Sequence, residues 1–298
     1  MKTILTPTDF SPNALNAIAY AAQLASEVRG KLILVHALPF PTGIAPAEVG
    51  VINPQVALKE AYLHELEKLS KTLRLENGFR FEVETFCEEG PLYQCLGKLA
   101  VQYQVDMIVM GTKGATGLLQ KLVGTNALTI MQQVHCPVLV VPATAKYTGL
   151  QKVAYASDFE KEEQVFLQQL FPLVAPFQPE IDVLNVQAEE QLNIVADGQV
   201  IQEIATQHTN LAVQIKQVKA ASVLAGIKQY TRENPVQLLA VAIEKRNWLE
   251  ALFHHSVSAQ LAFGSNLPLL ALPQTPYKLA KKPTAKAQTA TASAIPSI

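Results

Sequence analysis

Three cysteines in 298 residues, Cys87, Cys95 and Cys136, are too few and too odd in number for a disulfide framework. The count fits a reducing compartment, and Cys87 and Cys95, which form no Cys-x2-Cys pair, sit in segments where small buried hydrophobes are expected. No apolar run approaches the length that spans a bilayer, so no membrane partner is expected. Polar residues interrupt the opening Met1-Lys2-Thr3-Ile4-Leu5-Thr6-Pro7-Thr8-Asp9 within five positions, which leaves no apolar core for a secretory signal and makes the cytoplasm the expected location. Charge of one sign is also scarce. The net charge is −1 with no basic stripe, so a nucleic-acid partner has no electrostatic footprint outside residues 274–298, which carry four lysines and no acid. The Gly-x-Ser-x-Gly elbow, the His-Glu-x2-His zinc motif and the Walker Gly-x4-Gly-Lys-Ser/Thr loop are all missing.

What is present is a core-rich chain, 49% hydrophobic and 16% charged, of a length that suggests two domains. Thr3 to Thr6 reads as a first strand. Ser11-Pro12 supplies an N-cap and a first-turn proline for a helix whose inward face is read as Leu15, Ile18, Ala19, Ala22 and Ala25. Lys31 to Ala37 is a second, buried strand. Residues 39–54, punctuated by prolines and glycines, form a lid or a disordered loop. Leu58, Tyr62, Leu66, Leu69 and Leu73 follow helical spacing, Phe79 to Phe86 alternates as an edge strand, and Gly90-Pro91 opens a third helix. A fourth strand, Met107 to Met110, and a fifth, Val138 to Val141, complete a β-α-β-α-β-α-β-α-β order. With right-handed crossovers this gives an open α/β parallel sheet of order 3-2-1-4-5, whose topological switch lies between strands 1 and 4.

The pattern then restarts. Lys152 to Phe159 echoes Lys2 to Phe10, placing Asp158 where Asp9 stood, and residues 236–273 align with residues 105–142 without a gap. Further elements are expected at 161–175, 180–187, 198–208, 211–218 and 221–234. The chain is therefore read as two tandem five-stranded domains, 1–146 and 151–273, followed by a disordered tail over 274–298, rich in Ala, Thr, Lys and Pro.

The stretch from Val105 to Pro142 carries the chemistry. A buried strand ends at Gly111; Gly114 follows, and after nine further residues come Gly124, Thr125 and Asn126, where an amphipathic helix begins. Glycines let backbone N–H groups approach a ligand, and a helix start presents unpaired N–H groups and a positive dipole end, so this is a site for phosphate. The same glycines could instead serve only tight turns and helix packing. In the second copy Gly111, Gly114 and Gly124 become Ala242, Lys245 and His255, and only Thr125 keeps a hydroxyl, as Ser256. A cradle that needs absent side chains is blocked there. Lys113 and Lys121 are not P-loop lysines, and the adjacent His254 and His255 make a poor tetrahedral set, so no metal site is assigned.

This strand, its glycine spacing, the Gly-Thr pair and the closing Cys136-Pro137-Val138-Leu139-Val140-Val141-Pro142 resemble the ATP-binding branch of the universal stress protein family. The resemblance implies an adenine-nucleotide alpha-hydrolase-like fold that binds ATP (or ADP or AMP), with magnesium as an optional companion. It places phosphates at Gly114, Gly124, Thr125 and Asn126, ribose near Gly111, and adenine among Pro7, Asp9, Val35 and Met110. Asp9 could equally be a turn or helix-capping aspartate. The Ser-Gly-Gly-x-Asp loop of related ATP pyrophosphatases is missing after the first strand, and no catalytic constellation is found, which leaves slow ATP hydrolysis as the most that is expected of it as an enzyme. The resemblance also implies that the fifth strands pair within the chain, the degenerate second domain acting as a built-in dimer partner. Beyond that, a homodimer is conceivable. Two other readings stay open: an adenine-nucleotide-using enzyme of the same superfamily, such as a nucleotidyl transferase, and a ligand-free interaction module.

Overall fold

The computed structural model describes residues 2–40, 54–112, 125–159, 163–188, 211–243 and 267–276. In chain order the elements are β1 (Thr3–Pro7), α1 (Pro12–Glu27), β2 (Lys31–Leu38), α2 (Pro54–Glu76), β3 (Glu82–Glu89), α3 (Leu92–Gln102), β4 (Met107–Gly111), α4 (Thr125–Gln133) and β5 (Val138–Val141). They are followed by β6 (Lys152–Ala156), α5 (Glu163–Val174), β7 (Glu180–Ala188), β8 (Ala212–Ala220), α6 (Val223–Glu233), β9 (Leu238–Ile243) and β10 (Leu269–Pro273). The expected helix at 198–208, the 39–54 loop except its ends, and residues 277–298 lie outside the described residues.

Five strands in each half keep the expected order, but they do not form two separate sheets. All of them join one ten-stranded sheet, β3-β2-β1-β4-β5-β10-β9-β6-β7-β8. Within each half the pairing is parallel, and the seam is the antiparallel pair β5–β10, with Val140 opposite Leu269 and Leu139 opposite Leu270. The physical reason is that each of these strands is a short apolar ladder at the edge of its own half, and pairing satisfies both sets of backbone groups at once. One apolar layer runs across the seam, from α1 and α2 over Leu139 and Leu270 to α5. The opposite face is divided, with α3 and α4 covering the first half and α6 the second.

Four local expectations shift. In α1 the buried stripe is Ala14, Ala17, Ile18, Ala21, Ala22 and Ala25, while Leu15 and Ala19 face outward. This helix is apolar nearly all round, so periodicity alone offers several stripes and the sheet selects one. The third strand starts at Glu82, not Phe79, because Phe79 belongs to the end of α2. Gly78 and Phe79 have φ of 61° and 56°, and Phe79 N donates to Arg74 O at 2.8 Å, a left-handed cap that closes the helix. Leu58, expected inward, is exposed. At 23 residues α2 is about 34 Å long against about 26 Å for an eight-residue strand, so its first turns overhang the sheet. At the far end Pro276 is buried and Thr275 Oγ1 lies 3.0 Å from His135 Nδ1, so the packed body extends three residues past the expected boundary.

Leu270 is 1% exposed at the seam. Leu270→Lys should destabilise the full chain by about 3 kcal/mol or more, a fall in Tm of at least about 6 °C. Leu75→Lys on the exposed side of α2 should stay within about 0.5 kcal/mol of wild type. Equal thermal unfolding of the two variants would contradict a structural role for the seam.

Candidate functional site

The carboxyl ends of β1, β2 and β4 meet where the strand order reverses, the place where open α/β sheets hold ligands. Pro7 is paired with Val35, and the β1–β4 register, Leu5 opposite Ile108, carries forward to set Pro7 level with Met110. Pro7, Val35 and Met110 are therefore neighbours on three adjacent strands, with Gly111 one step beyond. The side chains of Val35 and Met110 are buried in the layer beneath α3 and α4, so what they present at the sheet's end is backbone. Val35 O accepts from Thr8 N at 2.9 Å. Beyond that bond β2 continues to Leu38, past the last β1–β2 pair, and among the described residues the β1-facing backbone of Ala37 has no strand beside it.

The turn from β1 into α1 is built from short side chains. Thr8 Oγ1 accepts from Phe10 N at 2.9 Å, Asp9 Oδ1 from Ser11 N at 3.0 Å, and Ser11 Oγ from Ala14 N at 3.3 Å, the last being the helix cap. Asp9 thus holds the turn with one oxygen while its carboxylate stays exposed at the strand ends. Both readings of Asp9 are compatible with this geometry.

Sequence reasoning missed a set of rings beside it. Phe10, at φ 61°, lies 5.8 Å from the Tyr62 ring of α2, and the His36 ring stacks on Tyr62 at 4.0 Å. His36 Nδ1 lies 2.8 Å from Thr8 O; a carbonyl only accepts, so Nδ1 carries the proton. The signal in the sequence was the recurrence of Phe10 as Phe159.

Gly111 does have a packing role. A Cβ there would sit 2.9 Å from Asn13 O, so this glycine lets the end of β4 approach the first turn of α1. Thr125 and Asn126 open α4, and Asn126 is exposed. Gly114 and Gly124 lie outside the described residues, as do Lys113, Lys121, His254 and His255. Among the described residues no group of three His, Cys, Asp or Glu side chains is placed to hold a metal ion, and no helix is long and apolar enough to cross a membrane.

The second half repeats the turn with different chemistry. Ser157 Oγ accepts from Phe159 N at 3.0 Å, as Thr8 does from Phe10, and Asn185 Nδ2 donates to Ser157 O at 3.0 Å, in the place of His36. Phe159 has the same φ of 61°. The helix then brings in a carboxylate where α1 has Ala14: Ser157 Oγ donates to Glu163 Oε1, and burial, the largest cause, raises the Glu163 carboxyl above its usual 4.5. A raised carboxyl binds its proton more tightly in the folded state than in the unfolded one. Its stabilising contribution is complete below about pH 4.5 and is lost as pH climbs through the folded value. In thermal unfolding across pH 4 to 8, Glu163→Gln should therefore gain on wild type as pH rises; a constant or shrinking difference would show that burial does not control this group.

The geometry can be set beside known proteins. A family model described as "Universal stress protein family" matches residues 1–142. A universal stress protein of Methanocaldococcus jannaschii is 32% identical over 146 residues, covering 49% of this chain and 84% of the relative. One from Synechocystis is 24% identical over 300 residues, covering 91% of this chain and 99% of the relative, so the similarity extends through both halves. The crystal structure of a universal stress protein from Archaeoglobus fulgidus superposes with a TM-score of 0.69 over 91% of this chain and 98% of that one, at 16% identity, a likeness of fold. The chain belongs to the universal stress protein family.

Proposed function

We propose that the protein binds one adenine nucleotide, ATP or its ADP or AMP form, in its first half, residues 1–146, and that residues 151–273 are a degenerate copy serving as an internal pairing partner. The observation that carries this is the convergence of β1, β2 and β4 at the order reversal, with Asp9 exposed there and α4 beginning at Thr125 and Asn126. The adenine would lie against Pro7, Asp9, the backbone beyond Val35 and the end of β4 at Met110. Ribose would sit by Gly111, and phosphates would reach Gly114, Gly124 and the N–H groups of Thr125 and Asn126. A helix N-terminus favours the negative charge of phosphate, and magnesium could accompany a triphosphate. In the second half, Lys245 and His255 stand at the glycine positions, where side chains block the close approach of backbone N–H groups, and Glu163 adds a partly buried carboxyl near the equivalent strand ends. The reading concerns binding, in the cytoplasm, and a response to nucleotide through the coupled halves.

Isothermal calorimetry with ATP on the full chain should give one site. Gly124→His puts at the helix start the residue its counterpart carries. The lost N–H contacts to a charged group, about 1.5–3 kcal/mol each, should weaken binding by more than about tenfold with the fold intact by circular dichroism. Unchanged affinity in this variant, or two sites per chain, would remove the assignment.

A further inference from the structure

His36 stands one residue past the last β1–β2 pair, Pro7 with Val35, on a strand that borders the nucleotide region. Side chains alternate along a strand, and Val35 is buried beneath α3 and α4, so His36 points to the other face, where α1 and α2 pack. Its ring stacks on Tyr62 of α2 at 4.0 Å and lies 5.4 Å from the ring of Phe10. Held this way, the imidazole turns its edge toward the β1–α1 turn, and Nδ1 donates to Thr8 O at 2.8 Å.

The bonds of that turn meet at Thr8, which is buried. Its N–H donates to Val35 O, its Oγ1 accepts from Phe10 N, and its carbonyl accepts from His36. Asp9 comes next, exposed at the strand ends, and Phe10 follows with a φ of 61°. A left-handed residue with a Cβ persists only where its surroundings hold it, and here the Thr8 hydroxyl and the Tyr62 ring, 5.8 Å away, do so. Asp9 is thus fixed from both sides, by Thr8 before it and Phe10 after it. The second half repeats the device. When Phe10 is laid on Phe159, His36 falls on Asn185, whose Nδ2 donates to Ser157 O at 3.0 Å, and Phe159 keeps the φ of 61°. What the two halves share at this position is a donor to one carbonyl, not an imidazole.

We infer that His36 is a positioning residue for nucleotide binding: through the Thr8 carbonyl it fixes the turn that presents Asp9 to the nucleoside, without itself touching the ligand. The inference rests on the nucleotide reading above. A buried carbonyl stripped of its donor is costly, so a chain without His36 lets the turn rearrange toward another partner and carries Asp9 with it. Because the effect passes through Asp9 to the nucleoside end of the ligand, it is indifferent to the number of phosphates. A direct role for His36 at the phosphates would instead grow from AMP to ATP.

Calorimetry on the full chain with ATP and with AMP tests this. His36→Ala should weaken both ligands by the same factor, about fivefold or more, in a chain still folded by circular dichroism at the assay temperature. His36→Asn, which supplies the donor used by the second half, should return both affinities to within about twofold of wild type. A merely structural role would lower the Tm of His36→Ala and leave its affinities alone. In the wild-type chain, an imidazole nitrogen–proton NMR spectrum should find the His36 proton on Nδ1. With wild-type binding established, unchanged affinity in His36→Ala, a loss larger for ATP than for AMP, no recovery in His36→Asn, or a His36 bare at Nδ1 would each overturn the inference and leave the nucleotide reading standing. A wild-type chain that binds neither ATP nor AMP removes that reading, and this inference with it.

Discussion

Everything in this molecule depends on the antiparallel pairing of β5 with β10. Two short strands, Val138–Val141 and Leu269–Pro273, would each leave a row of unsatisfied backbone groups on an apolar edge if their half stood alone. Paired, they become the two central strands of a ten-stranded sheet, and the layer beneath α1, α2 and α5 becomes continuous through Leu139 and Leu270. The seam does more than join the halves. It brings the amino ends of β1 and β4 against α5, and because the pairing is antiparallel it points the carboxyl ends of the two halves toward opposite ends of the sheet.

Around that frame the two halves share a device and diverge in its use. A hydroxyl after the first strand, Thr8 or Ser157, accepts from the backbone N–H of a left-handed phenylalanine, while a polar side chain from the second strand, His36 or Asn185, donates to the backbone carbonyl of Thr8 or Ser157. The shared geometry keeps the turn into the first helix open at the sheet's end. The helix start that follows differs: Ser11 caps α1 in the first half, and Glu163 places a carboxylate against Ser157 in the second. The two halves keep the same scaffold and differ in the side chains at a few strand ends.

Position and chemistry agree at the carboxyl ends of β1, β2 and β4. The order reversal, the exposed Asp9 and the start of α4 are set by topology, whereas the glycine spacing is set by sequence. Gly111 shows how the two interlock, since its missing side chain lets β4 approach Asn13 and also keeps the strand end low beside α1. A packing glycine and a ligand-facing glycine are compatible roles for one residue, because close backbone approach is what both require.

The sequence by itself determined the elements that carry their own local signal. Ser11-Pro12 started α1, the apolar runs at Lys31 and Met107 made buried strands, and the repeat of residues 105–142 at 236–273 made two halves of the same strand order. The family was legible for the same reason, since a glycine spacing is written in adjacent residues. Tertiary structure alone decided which stripe of the alanine-rich α1 turns inward, because such a helix is apolar on several faces and only the sheet breaks the tie. It also moved the third strand from Phe79 to Glu82, a left-handed cap having claimed the alternating residues. The ring stack of Phe10, His36 and Tyr62 comes from three separate segments that no periodicity links. The pairing of the fifth strands was implied by the family resemblance, but its register, Val140 opposite Leu269, and the merger of two expected sheets into one are set by how the two apolar edges meet.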